Sequence, residues 1–126
     1  MVWNVRKTPR HLDGEIAEAH VRDHLMARVR KLLDKWQPIL GVKVHEVHVK
    51  KMGTYWATMT EGDSRMWVNQ QLAKQPPGFL QYVVVHELVH LKTDGHDGKF
   101  YALMDQHLPG WRRYHEAKAA PMTQHS

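Results

Sequence analysis

Pro77-Gly78-Phe79-Leu80-Gln81-Tyr82-Val83-Val84-Val85-His86-Glu87-Leu88-Val89-His90-Leu91-Lys92 is the stretch on which the reading of this chain turns. Its pattern predicts a helix from Pro77 or Gly78 to Lys92. At about 100° per residue, Phe79, Val83, His86 and His90 fall within one narrow arc, with Glu87 at its edge. Leu80, Val84, Leu88 and Leu91 cover one flank, and Val85 and Val89 the other. Only Gln81 and Lys92 mark a polar strip. A helix that is apolar nearly all round is a buried helix. A buried charge is costly unless it is partnered, so two histidines and a glutamate on such a helix call for a partner. A metal ion is one.

Histidines four apart stack on one helix face and can hold a single ion. Zinc accepts neutral imidazole nitrogen at about 2.0–2.1 Å in a tetrahedron. After the helix, Thr93-Asp94-Gly95 can reverse the chain, since glycine tolerates positive φ. That turn aims His96 back at His86 and His90 as a third ligand and leaves the fourth position for water. Asp97, adjacent to His96, and Glu116, the only glutamate after the motif, are alternative third ligands. Histidine is preferred because the turn aims it and the spacing suits it. Glu87 would then take a proton from the water as it attacks a carbonyl, and deliver it to a leaving amine. The expectation is a zinc-dependent hydrolase, first of all a metallopeptidase acting on a peptide or protein substrate. The competing reading is two core histidines hydrogen-bonded to backbone or carboxylate, and the chain's 11 histidines give it weight. His11, His20, His24, His45, His48, His107, His115 and His125 read as surface residues for the most part. His107, Tyr101 and Tyr114 are weighed as oxyanion stabilisers, and a plain structural role is preferred for each.

The bulk numbers narrow the field. A chain of 126 residues fits one domain, 1–126, with 1–12 and 121–126 read as flexible. The absence of cysteine excludes disulfides, thiolate metal sites and cysteine nucleophiles. The N-terminus has no apolar core of a secretory signal, and the longest apolar run, Tyr82 to Val85, is far too short to span a bilayer. A soluble, cytoplasmic protein with no membrane partner is expected. A net charge of +5 and a pI near 9.6 raise the prospect of a polyanionic partner. Arg22, Arg28, Arg30, Lys31 and Lys35 are nevertheless read as a solvated helix surface in preference to a nucleic-acid face.

The remaining elements follow from periodicity. A helix is expected from Asp13 to Trp36, with Leu25, Val29, Leu32 and Trp36 as its apolar stripe, extended by Val21 and Leu33. Pro38 should end it. The β-branched run Gly41 to Lys50 reads as a strand with a phase slip. Tyr55–Thr60 and Arg65–Asn69 read as a hairpin around Glu61-Gly62-Asp63-Ser64. Gln70 to Gln75 is a short helical connector. Asp97 is placed to cap a helix running to His107, and Gly110 to Ala120 should form one last helical piece. The sum is an α+β fold with a long N-terminal helix, a small three-stranded sheet, a buried motif helix and C-terminal helices.

Several blocks in this order resemble a known family. They are Tyr55-Trp56-Ala57-Thr58, Met66-Trp67-Val68-Asn69, Leu80 to Leu91, Gly95-His96-Asp97-Gly98-Lys99-Phe100-Tyr101, and Pro109-Gly110-Trp111. Together they look like the YgjP-like metallopeptidase domain, related to the SprT-like and WLM zincin groups, over about Gly53 to Ala117. The resemblance implies a minimal zincin-like fold, with His86, His90 and His96 as zinc ligands and Glu87 as the catalytic base. Trp56 matches a tryptophan of the family's signature strand and Asn69 an asparagine after the next strand; with Trp67 they are candidate substrate-binding residues. The chain departs from the family where it reads Trp56-Ala57-Thr58-Met59-Thr60 in place of Trp-Gly-Ser-Cys-Ser, and it has almost none of the usual β-rich region before the first helix. Zincins pair extended substrate with an edge strand, and the Tyr55–Thr60/Arg65–Asn69 hairpin is the candidate here. The alternatives to a free-standing peptidase are a DNA-associated protease of SprT-like type and a non-catalytic, zinc-stabilised binding module.

Overall fold

The computed structural model of the protein describes residues 10–60, 62–93 and 97–117. In chain order these form α1 (Arg10–Leu40), β1 (Glu46–Lys50), β2 (Ala57–Thr60), β3 (Arg65–Asn69), a short 3-10 helix (Gln70–Lys74), α2 (Pro77–His90), α3 (Gly98–His107) and α4 (Arg112–Ala117). The expected α+β class holds. Of the segments read as flexible, 10–12 belong to α1; 1–9 and 121–126 lie outside the described residues.

On α1, Leu25, Val29, Leu33, Trp36 and Leu40 are buried, while Leu32 is half-buried and Val21 exposed. The spacing thus identified the correct face, but Leu33 rather than Leu32 is its core residue. The helix also runs through Pro38 instead of stopping before it. Proline removes one backbone bond there, and the extra turn offsets this by burying Leu40, only 1% exposed. The stop comes at Gly41, whose φ of +70° is the left-handed conformation that terminates helices. The Gly41 and Val42 N–H groups both donate to the Gln37 carbonyl, at 2.8 and 3.2 Å. The Gln37 side chain accepts from the Val44 N–H at 2.6 Å. These bonds hold the chain out of the sheet until Glu46, so the expected strand begins five residues late.

β3 is the central strand, parallel to β1 and antiparallel to β2. Val47 lies beside Met66, and Ala57 beside Val68. All four are buried, so this face of the sheet is the core face. Because strand side chains alternate, His48, Thr58 and Trp67, which are also neighbours in register, lie on the other face. The hairpin forms as expected, with Ser64 at φ 51° in its loop and the Thr60 hydroxyl donating to the Asp63 carboxylate at 2.7 Å.

α2 is the centre of the packing: it contacts α1, β2 and α3. Its one side chain on the expected polar strip that falls within the helix, Gln81, accepts a hydrogen bond from the Trp36 indole at 3.1 Å. Asp97 caps α3 by accepting from the Phe100 N–H at 3.1 Å. Leu108 to Trp111 then turn the chain through Gly110, at φ +86°, into α4. α4 starts at Arg112 rather than Gly110, and residues 118–120 of the expected helix lie outside the described ones. No helix among the described residues is long and apolar enough to cross a membrane.

α4 reaches the first turn of α2 through Gly78. A Cβ at this position would collide with the Tyr114 hydroxyl and ring, and Tyr114 is itself packed against Phe79 and Tyr82. Gly78→Ala should therefore lower stability by about 1–3 kcal/mol through overpacking. Alanine's better helix propensity opposes this by at most about 1 kcal/mol. Chemical denaturation checks it, and a variant at least as stable as the parent would show that Tyr114 moves away freely.

Candidate metal centre

The two motif histidines meet as helical spacing requires. The His86 and His90 rings lie 4.6 Å apart, centroid to centroid, at 81°. Phe100, from the first turn of α3, walls both: its ring sits 5.2 Å from His86 and 5.0 Å from His90, stacked on the latter. Asp97 sets that wall by fixing the start of α3. As the cap, its carboxylate is already engaged, which weakens its standing as an alternative ligand. Glu116 is an alternative whose side chain lies outside the described residues. His96 and the Asp94-Gly95 turn also lie outside them. Among the described residues no three histidine, aspartate or glutamate side chains form a metal-holding group.

Glu87 is 2% exposed, and its Oε2 lies 3.5 Å from His86 Nδ1. Its other oxygen, Oε1, is buried with no hydrogen-bond partner among the described residues. Burial in this apolar helix pushes the carboxyl up to about 8, because the charged form is poorly solvated there. An unsatisfied buried carboxylate is the kind of group that a cation or a water beside it would satisfy. Two imidazole rings side by side, an under-satisfied carboxylate and an apolar wall make a donor set that fits a divalent metal with nitrogen preference.

The three residues proposed from the sequence to touch substrate do not share one face: Trp56 and Asn69 are buried neighbours, the Asn69 N–H donating to the Trp56 carbonyl at 2.9 Å, and Trp67 lies elsewhere. Asn69 is fully buried: its Nδ2 donates to the Met52 and Tyr55 carbonyls at 3.0 and 2.9 Å, and its Oδ1 accepts from the Gln71 N–H at 2.9 Å. Those bonds pin the loop before β2 to the 3-10 helix, which is a structural task. Asn69→Ala should cost about 2–4 kcal/mol, the sum of several modest hydrogen bonds and the carbonyls left unsatisfied. Metal uptake should be unchanged; a fall in bound metal without a fall in melting temperature would return Asn69 to the site. Trp67 lies on the sheet face away from the core, stacked on His48 at 4.5 Å with Lys50 Nζ over its ring at 4.5 Å. Trp56 is buried edge-on against Phe79 at 5.2 Å, and its indole N–H has no partner among the described residues. The hairpin offers only β2 as an edge, because β3 is paired on both sides.

Of the oxyanion candidates, His107 meets the edge of Trp36 on α1 at 6.3 Å. Tyr101 stacks at 6.0 Å on Trp111. Tyr114 lies over Phe79 and Tyr82. A residue read as surface from sequence lies closer to the motif: His115 of α4, whose ring faces His86 at 6.4 Å and 28°. Its Nδ1 is 2.8 Å from the hydroxyl of buried Tyr82. Tyr82 precedes His86 by one turn on the same face of α2, and a histidine four residues after Trp111 was the only sequence signal for this contact.

The family model of the YgjP-like metallopeptidase domain matches residues 4–117. The structure is similar to the metallopeptidase zymogen of Pyrococcus abyssi abylysin, with a TM-score of 0.62, 22% identity and coverage of 75% of this chain and 99% of that one. It is also similar to the metallopeptidase zymogen of Methanocaldococcus jannaschii jannalysin, with a TM-score of 0.62, 16% identity and coverage of 73% and 97%. No curated protein matches in sequence.

Proposed function

The chain belongs to the YgjP-like metallopeptidase domain family, and on that premise we propose that it is a zinc-dependent peptidase in which His86, His90 and His96 hold the metal and Glu87 activates the attacking water. The observation that carries the reading is the pairing of His86 and His90 beside a buried, under-satisfied Glu87 on a helix otherwise apolar. The described residues supply two imidazoles; the third donor is assigned to His96, which follows the helix after the Gly95 turn. A bound zinc ion supplies the Lewis acid that polarises a carbonyl and eases deprotonation of a water. Glu87 takes that proton on a carboxylate oxygen and passes it to the leaving amine nitrogen. A neighbouring cation favours the charged carboxylate against burial, so the same group that burial keeps protonated in the metal-free protein becomes a base in the loaded one. Phe100 and the surrounding aromatic side chains exclude bulk water, which strengthens each electrostatic contact. An extended substrate is proposed to lie along β2, the strand of the hairpin with an outer edge.

Metal analysis paired with cleavage of a broad peptide and protein library tests the reading. Zinc near one equivalent together with cleavage supports it. Metal-replete protein that cleaves nothing would leave the non-catalytic zinc module as the better account.

A further inference from the structure

His115 belongs to neither the zinc-binding motif nor the residues proposed to touch substrate, yet it sits against the motif. α4 carries it to the face of α2 that bears Tyr82 and His86, where its ring lies nearly parallel to that of His86 and 5.4 Å from Trp111. Tyr82, His86, Glu87, Phe100 and Trp111 are all buried, whereas His115 is half-exposed. It is the more exposed member of this cluster.

The contact with Tyr82 fixes which nitrogen carries the proton. The Tyr82 hydroxyl is buried, and a phenol keeps its hydrogen at neutral pH. A buried donor left without an acceptor is costly, and the acceptor within reach is His115 Nδ1 at 2.8 Å. With Tyr82 donating to Nδ1, the neutral imidazole carries its hydrogen on Nε2. The ring is thus oriented, with its N–H at Nε2.

We propose that His115 is a catalytic residue of this centre, whose Nε2–H hydrogen-bonds the substrate carbonyl oxygen as that atom gains charge, while Tyr82 is a positioning residue that sets its tautomer and orientation. The proposal rests on the peptidase reading above and adds to it the donor for the developing oxyanion. Preorganised donors of this kind are worth about 10²–10³ in turnover. The competing role is a pin that merely fastens α4 to α2 through Nδ1.

Asparagine and glutamine separate the two roles, because Asn places its amide near the Nδ1 position and Gln reaches towards Nε2. Peptide cleavage and binding of a phosphinic pseudopeptide, a mimic of the charged tetrahedral state, are measured on zinc-loaded protein. His115→Asn should lower kcat about a hundredfold, weaken the mimic by a similar factor, and leave KM and zinc content within about twofold. His115→Gln should recover about tenfold of the loss. Tyr82→Phe, the second variant should the first fold poorly, should lower kcat about tenfold with His115 intact. Nitrogen NMR of the imidazole in the metal-free protein gives an activity-independent reading and should show hydrogen on Nε2. A His115→Asn enzyme with parental kcat, or hydrogen on Nδ1, would overturn the proposal while leaving the peptidase reading standing. A parent protein that neither cleaves peptides nor binds the mimic would instead bring down the peptidase reading, and the role of His115 with it.

Discussion

Replacing Glu87 by glutamine is expected to leave the bound metal in place and to lower peptide cleavage by about a thousandfold. The side chains are nearly isosteric, and the site is buried enough that shape governs whether a substitution is tolerated. The amide has no basic oxygen to take a proton from water, and general-base catalysis is worth about 10²–10⁴. Single-turnover cleavage, with metal content measured on the same samples, decides the point. Full activity in the glutamine variant would remove Glu87 from the mechanism and leave only the histidines as functional residues. Loss of metal along with activity would assign Glu87 to holding the site instead.

The metal-free protein should lose stability as pH rises, and Glu87→Gln should lose much less. Burial raises the Glu87 pKa from the ordinary 4.5 to about 8. Between those values the folded chain holds a proton that the unfolded chain has released. Stability therefore falls with rising pH across this window: the contribution is whole below about 4.5 and gone above about 8. The difference between the two proteins in urea midpoints, converted to free energy, should change by roughly 3 kcal/mol from pH 5 to pH 8. Comparison with the glutamine variant cancels the groups that the two proteins share. Restoring a divalent cation should flatten the curve, because a positive neighbour favours the carboxylate. Parallel pH profiles for the two metal-free proteins would mean that Glu87 is better solvated than its surroundings indicate.

The elements visible in the sequence are those whose causes are local. α2 is set by its own composition, and a helix apolar on nearly every face had to be central. α3 is set by Asp97 at its cap and by Phe100 and Met104 four apart, both buried. The hairpin announces itself through a polar loop between two short segments rich in aromatic and β-branched residues. What stayed hidden depends on contacts between distant segments. Pro38 is tolerated because Leu40 has a core to enter, and Gly41 holds the true stop signal. Asn69 reads as a functional polar residue until the Met52 and Tyr55 carbonyls are seen closing on it. Trp67 faces away from the core because Met66 and Val68 take the core face of β3, and a five-residue strand with apolar residues at 66, 67 and 68 does not show its phase in sequence. His115 reads as surface because nothing local says that a six-residue helix folds back onto the first turn of α2. The pairing of His86 and His90 was legible; the neighbour that sits beside them was not.

The sheet joins two kinds of partnership, and they differ in the order in which they can form. β2 and β3 are neighbours in sequence, closing a loop over residues 61–64, and such a hairpin assembles within microseconds once its turn is made. β1 pairs with β3 in parallel, Glu46 beside Arg65, so its pairing must wait until the chain has run through β2 and the hairpin loop. Loop closure over that longer span is entropically dearer and kinetically later. The strand that bears Trp67 is therefore a template: it is presented first by its hairpin partner and completed afterwards by β1, which arrives on the end of α1. A chain interrupted before β3 is synthesised has two strand segments and no sheet, so the core face under α2 comes into being with the synthesis of Arg65–Asn69.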